Sequence, residues 1–541
     1  MKNKILNIII RKGLLIGLLI MGCVGVSCID NIDPDKLIDE DLEKDYKWAS
    51  FIKSMQLSIV PLGQNQYQLT DDLHGNNYAG YIGEMQDWNN DNNSLTYFFS
   101  NSLKWQDDMF HVTYGTKGDE TVAPGSFPSW NMIRKKAGES SILYSFAQIL
   151  KIMQAHRASD TYGPLPYFGY GEEANPKYNS QEEIYYSFFE ELNVAIEQLT
   201  EAYNQNPDSK PIEGSDFMYG SDLGSWIKFA NSLKLRLAMR ISYVDPEKAK
   251  QYAEEAVQHS VGVIELNAEN AALREAYGIP QYRHPLNRIT LIFKEPAMGA
   301  SMDSYMNGYN DPRLPFYFTA TTNTAYRDYH GVPTGISNPK NYSGKPSIPA
   351  IAYGADLVFL SAAEVAFLRA EGALNNWNMG GTAESFYKKG IELSMQSYGI
   401  DNGTITNYIN NDSATPIAYT DQISSNSIPA VSNVTIKWNE NSTTEQKLEK
   451  IMTQKWIALY PNGQEAWAEH RRTGYPKLFQ ITNNRSSSGS IGGVVSSADG
   501  VRRIPFPSTE YTTNREYVEE AITNYLNGTD AASTKLWWDV K

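Results

Sequence analysis

Apolar residues return every three or four positions along several stretches of this chain, and a stripe of that period is buried only when a helix packs against a neighbour. Over residues 140–158 the stripe is Ile142, Leu143, Phe146, Ile149, Leu150 and Met153. A second helix is expected to open at Ser180-Gln181-Glu182-Glu183, a capping box, and to carry Ile184, Phe188, Leu192, Ile196 and Leu199. Trp226, Phe229, Ala230, Leu233 and Leu237 mark a third, and Asp245-Pro246 puts an N-cap and a first-turn proline before a fourth. Ser361 with Glu364 reads as another capping box, opening a helix that runs to about residue 375, and Gly380-Gly381-Thr382 starts its partner. Helices over 443–460 and 464–472 complete the series.

These segments pair into hairpins, so the expected fold class is all-α. Within one pair Ala383, Tyr387 and Gly390 repeat the small-aromatic-small spacing of the second helix of a tetratricopeptide unit. Between the pairs, residues 60–135, 265–355 and 400–440 are rich in Asn, Gly, Tyr and Pro. Segments so long are functional or disordered. With 35 Tyr and 11 Trp in the chain, they have apolar surface to bury and are expected as ordered, irregular loops over a helical scaffold. No linker divides residues 28–541, which read as one domain.

The only two cysteines, Cys23 and Cys28, lie five positions apart at the end of an apolar run of about 15 residues, behind Lys2, Lys4, Arg11 and Lys12. A spanning helix needs roughly 20, so residues 1–27 read as a signal peptide. Its ending, small residues and then a cysteine, is the mark of a bacterial lipoprotein. Acylation makes that cysteine the first mature residue, and each buried CH₂ contributes about 0.8 kcal/mol to membrane attachment. Cys28 is favoured because Asp30, Asp33 and Asp35 follow it within an acidic tether over 28–45. Cys23 is the alternative; cleavage there would leave apolar residues 24–26 at the mature start. No pair of thiols then remains to staple the mature fold, and packing must hold it.

Charge and motifs narrow the chemistry by exclusion. Lys plus Arg total 47 against 62 Asp plus Glu, a balance that repels phosphate backbones, so no nucleic-acid partner is expected. His74, His111, His156, His259, His284, His330 and His470 show no metal-ligand spacing, and no metal or cofactor is expected. The chain has no HExxH, no GxSxG and no P-loop. Asp87-Trp88-Asn89-Asn90-Asp91 imitates the start of a calcium loop, but Asn92 stands where glycine is needed and Phe98 where the closing glutamate belongs. No catalytic residue is assigned, and an enzyme is not expected.

Several ordered motifs carry a resemblance. Asp160-Thr161-Tyr162-Gly163-Pro164-Leu165-Pro166-Tyr167 is followed by Pro176-Lys177-Tyr178-Asn179-Ser180-Gln181-Glu182 and by Trp226-Ile227-Lys228-Phe229-Ala230-Asn231-Ser232-Leu233-Lys234-Leu235-Arg236. Then come Asp311-Pro312-Arg313-Leu314, Ala363-Glu364 through Ala370-Glu371, Gln454-Lys455-Trp456, the run from Trp467 to Pro476, and Ile504-Pro505-Phe506-Pro507 with Glu510. In this order they resemble the SusD/RagB family of nutrient-binding outer-membrane lipoproteins; Pro164 replaces that family's usual Asp. Asn231, Arg236, Arg471 and Arg472 are expected to satisfy buried carbonyls and carboxylates.

The resemblance implies tetratricopeptide-like helix pairs with long irregular loops forming a ligand-binding surface. It further implies a lipid anchor in the outer membrane, facing the cell exterior, and a SusC-like TonB-dependent transporter as partner. An oligosaccharide is the leading ligand, a peptide the alternative as in RagB-type members, and a lipid-anchored glycosidase a third reading. Rings able to stack on sugars are Tyr78, Tyr81, Trp88, Tyr97 and Trp105 in the first loop region and Tyr305, Tyr309, Tyr326 and Tyr329 in the second. Asn76, Asn77, Asn89 and Asn307 could bond hydroxyls, and packing or turn formation competes for each of these residues.

Overall fold

The computed structural model describes residues 46–115, 125–322 and 324–541. The signal peptide, Cys23, Cys28 and the tether lie outside the described residues. Contacts divide the chain into Met1–Lys47 and Trp48–Lys541, and the second unit is described below.

The main helices are α1 (Tyr46–Ile59), α2 (Ser126–Ala137), α3 (Ile142–Tyr162), α4 (Gln181–Gln205), α5 (Leu223–Arg240), α6 (Pro246–Gln258), α7 (Ala362–Leu374), α8 (Ala383–Gln396), α9 (Thr444–Leu459) and α10 (Gly463–Thr473). α3 packs on α4, α4 on α5 and α5 on α6, α7 packs on α8, and α9 touches α7, α8 and α10. This is the all-α stack of pairs that the apolar stripes imply. Ser180 and Glu183 form the reciprocal capping box of α4, and Asp245 accepts from the Lys248 N–H ahead of Pro246. Between α7 and α8 the backbones approach closely because Gly390 has no side chain. A Cβ there would lie 2.6 Å from the Phe367 ring.

One cap differs from expectation. Ser361 accepts from the Glu364 N–H at 3.1 Å, but the Glu364 carboxylate does not reach back. It is held by Arg236 through two bonds of 2.7 Å, because a buried guanidinium outcompetes an exposed amide for a carboxylate. The long loops also hold more helix than their composition suggests: Asp108–Tyr114 and α2 in the first, Pro285–Ile292 and Ala300–Tyr309 in the second, and Asn402–Ile409 in the third. Their Asn, Gly and Tyr content hides the period. Two small antiparallel sheets join these regions. β1 (Ile82–Glu84) pairs with β3 (Pro296–Met298), Ile82 opposite Met298, and β2 (Ala271–Leu273) pairs with β4 (Leu357–Leu360).

The recurring motif residues converge in a buried polar network. Arg236 also donates to the Phe359 carbonyl at 2.7 Å, and Asn231 donates to the Gly262 carbonyl at 3.0 Å. Arg472 grips Glu371 through two bonds of 2.7 Å and also bonds Glu469, which Lys455 reaches at 2.8 Å. Arg471 donates to the Arg502 carbonyl at 2.6 Å. Asp160 accepts from the Tyr185 hydroxyl and the Trp538 indole, and Tyr178 donates to Glu510 at 2.9 Å. Arg313 closes a fork on Asp311 at 2.9 and 2.6 Å. These side chains are buried, and each paired charge is one the fold would otherwise expose to a low dielectric unpartnered.

Candidate ligand-binding face

The first loop region begins with a helix over Gln64–Tyr67 that widens into π-winding over Gln68–Asn76, a geometry frequent at functional positions. Asn76 at its end is fully buried. It donates to Asp72 at 3.1 Å and accepts from the Gly463 N–H at 3.1 Å, pinning the helix to the start of α10. Asn77 is buried and donates to the Ile82 carbonyl at 3.2 Å. Both amides shape the backbone that carries the following loop.

That loop presents Trp88. Asn89, Asn90 and Asp91 are all left-handed (φ 54°, 51° and 63°), a conformation that asparagine and aspartate tolerate better than other side chains. Asn93 donates to the Trp88 carbonyl and Asn89 to the Asn92 carbonyl, both at 2.8 Å. The half-buried Trp88 ring stands edge-on against Trp105, with centroids 5.4 Å apart and planes at 85°. Trp105 itself is buried in a small apolar cluster with Leu73 and Leu95. Trp88 therefore rests on a fixed base, with exposed Asn89 and Asn90 beside it.

The second region is organised by Asp303, which is fully buried. It accepts from Arg327 at 2.6 Å, from Asn307 at 2.9 Å and from the Gly331 N–H at 2.8 Å. Asn307 also donates to the Tyr329 carbonyl at 3.2 Å. Tyr326 caps a column of near-parallel rings, 5.7 Å from His330, which lies 5.4 Å from Tyr419. The sheet of β1 and β3 brings the two regions together, and Lys340 bridges to Asp87 at 2.5 Å.

Other candidate rings point inward. Tyr81 is fully buried, with its hydroxyl on the Trp456 carbonyl. Tyr305 is buried, donates to the Lys477 carbonyl at 3.0 Å, and sits 5.3 Å from Trp456. Tyr309 is buried and donates to the Val434 carbonyl at 2.9 Å. Tyr97 is buried, and the half-buried Tyr78 lies 5.1 Å from Trp467 and donates to the Ser94 carbonyl at 3.0 Å. Trp88, Asn89, Tyr326 and Tyr329 remain as the candidates with ring or amide toward solvent. Sequence reasoning missed Arg327, and no local signal marks it, because its place in a loop depends on Asp303 from the helix Ala300–Tyr309.

The SusD-like family model, described as SusD and RagB outer-membrane lipoprotein, matches residues 30–539. The chain belongs to the SusD/RagB family. It is similar to a SusD homolog from Bacteroides uniformis, at 36% identity and TM-score 0.82, covering 92% of this chain and 100% of that one. It is also similar to a chitin-binding SusD homolog from Flavobacterium johnsoniae, at 34% identity and TM-score 0.82 over 92% and 99% of the two chains. A SusD-like protein from Bacteroides thetaiotaomicron follows at 32% identity and TM-score 0.83, over 91% and 99%. A search among curated proteins found no match. SusD-like proteins are binding proteins, and the family's description places them at the outer membrane as lipoproteins. Among the described residues of this SusD-like chain, no helix is long and apolar enough to cross a membrane.

Proposed function

We propose that this SusD-like chain captures an oligomeric glycan at the outer face of the outer membrane and delivers it to a SusC-like TonB-dependent transporter, without making or breaking a bond in it. The observation that carries the reading is Trp88, held half-exposed on Trp105 with the exposed side chains of Asn89 and Asn90 alongside. A flat apolar ring edged by amides matches a sugar, whose faces are apolar and whose rim is hydroxylated. Tyr326, on its column of rings, offers a second platform joined to the first through β1 and β3. The chitin-binding relative supports a glycan over a peptide.

Calorimetry tests this directly. Titration with chitohexaose should give saturable heat and titration with a mixed hexapeptide pool should give none. Trp88→Ala should weaken glycan binding by about 1–2 kcal/mol, roughly tenfold in Kd, without altering the melting temperature. Peptide binding with no glycan binding would overturn the reading, as would release of shorter products from the glycan.

A further inference from the structure

Away from the loop face, the described residues surround a cavity of about 620 Å³, within the range of small-molecule sites, about 300–1,000 Å³. Its walls come from parts of the chain far apart in sequence. Tyr67 and Asp71 begin the π-wound helix, His284 caps the helix Pro285–Ile292, β4 contributes one side, and the Tyr460-Pro461-Asn462 turn joins α9 to α10. None of the loop-face candidates lines it.

The charges at this cavity are already matched. Asp71 accepts from Arg157 at 2.6 Å, Glu364 is forked to Arg236, and Asp356 pairs with Arg274 at 3.3 Å. No Lys or Arg lines the space, so it holds nothing to attract a phosphate or carboxylate. What it offers is neutral. His284 is 2% exposed, and burial pulls its pKa down to about 3, so the ring is uncharged. Its Nδ1 accepts from the Leu286 N–H at 3.2 Å, which puts the proton on Nε2 and makes that atom a donor. Nδ1 carries the ring's hydrogen bond, and Nε2 makes none with the described residues. Asn270 uses its carbonyl on the Ala362 N–H at 2.8 Å and keeps its NH₂. Asn267 uses its NH₂ on the Leu393 carbonyl at 2.9 Å and keeps its carbonyl.

Two donors and an acceptor thus remain unused on a surface that also carries the rings of Phe316 and Tyr398, 5.4 Å apart. Neutral donors and acceptors beside aromatic faces suit a ring compound with hydroxyl or amide substituents, and exclude an ion. We propose that this cavity is a second binding site, separate from the loop face, for a neutral molecule of disaccharide size bearing hydroxyl or amide groups.

The test is calorimetry of the full mature chain with N,N′-diacetylchitobiose, in the wild type and three variants. Phe316→Ala removes a ring that is 42% exposed, and Ala352→Trp fills the cavity rim from an exposed position; neither should lower the melting temperature. Trp88→Ala disables the loop face alone. The expected result is that Trp88→Ala still binds one disaccharide per chain, while Phe316→Ala and Ala352→Trp each weaken that event at least tenfold. Loss of all binding in Trp88→Ala, with both cavity variants behaving as wild type, would overturn the second site and leave the loop face standing. Loss of all binding in the cavity variants alone would support the cavity and count against the loop face. No binding in any chain would overturn both.

Discussion

Glu84 and Asp72 lie close together, and only a proton held on one of them can bond their facing oxygens. Both are buried, and Glu84 Oε1 and Oε2 and Asp72 Oδ2 have no hydrogen-bond partner. Burial raises the Asp72 pKa to about 6, against the pull of the Asn76 amide. Burial and then the Asp72 charge raise Glu84 well above the carboxylate range, with Glu295 adding to it. Acids whose folded pKa is raised hold protons that the unfolded chain has released, so stability declines as pH rises from about 4 through about 6. Glu84→Gln removes one of these charges and supplies an NH₂ to Asp72. Thermal melts should show the variant more stable than wild type at pH 8, by on the order of 2 kcal/mol, with the gap closing toward pH 5. A variant equally or less stable at pH 8 would mean that the pair is already satisfied.

The helix α10 concentrates the opposite case. Burial alone would raise the pKa of Glu465, but Arg240 and Arg236 outweigh it and bring the carboxyl down to about 2. Glu469 is held low in the same way by Arg472, Lys455 and Arg240. Their contribution is complete above the unfolded value near 4.5 and is lost as pH falls toward 2. Denaturant melts should therefore show stability dropping steeply below about pH 4.5. Arg472→Met leaves Glu371 and Glu469 buried without their guanidinium and should cost about 3–5 kcal/mol at pH 7, with ligand binding at the loop face unchanged in whatever fraction remains folded. The same helices show how far sequence reaches. Helices with a continuous apolar stripe and a side-chain cap were legible to within a few residues, as α4 and α6 show. α1, the π-wound helix and the C-terminal helix Arg515–Tyr525 were not: the π-wound segment buries polar residues in place of a stripe, while α1 does carry one in Ala49, Ile52, Met55 and Ile59 that went unread for want of a recognised cap. At the candidate face, Trp88 could be named from composition, but so could Tyr81 and Tyr305, whose rings pack inward on Trp456. Counting aromatic residues cannot tell an outward ring from an inward one, since direction is set by partners hundreds of positions away.

The proposed delivery role needs the whole molecule held at a membrane, and little in the described residues supplies that. No described helix is fit to span a bilayer, and a formal charge of −15 is repelled by anionic surfaces. We propose that the leader supplies the attachment, with Cys28 as the acylation site. Several acyl chains are needed for a stable hold, because a single one binds only marginally. In cells, Cys28→Ser should abolish incorporation of labelled palmitate and shift the protein from the detergent phase to the aqueous phase on Triton X-114 partition, whereas Cys23→Ser should change neither. Because the proposed binding residues all lie within Trp48–Lys541, the released Cys28→Ser protein should keep its glycan affinity in solution while uptake by the cell falls. Retained uptake with the protein fully aqueous would mean that the transporter alone holds the chain in place, and that the lipid is dispensable for delivery.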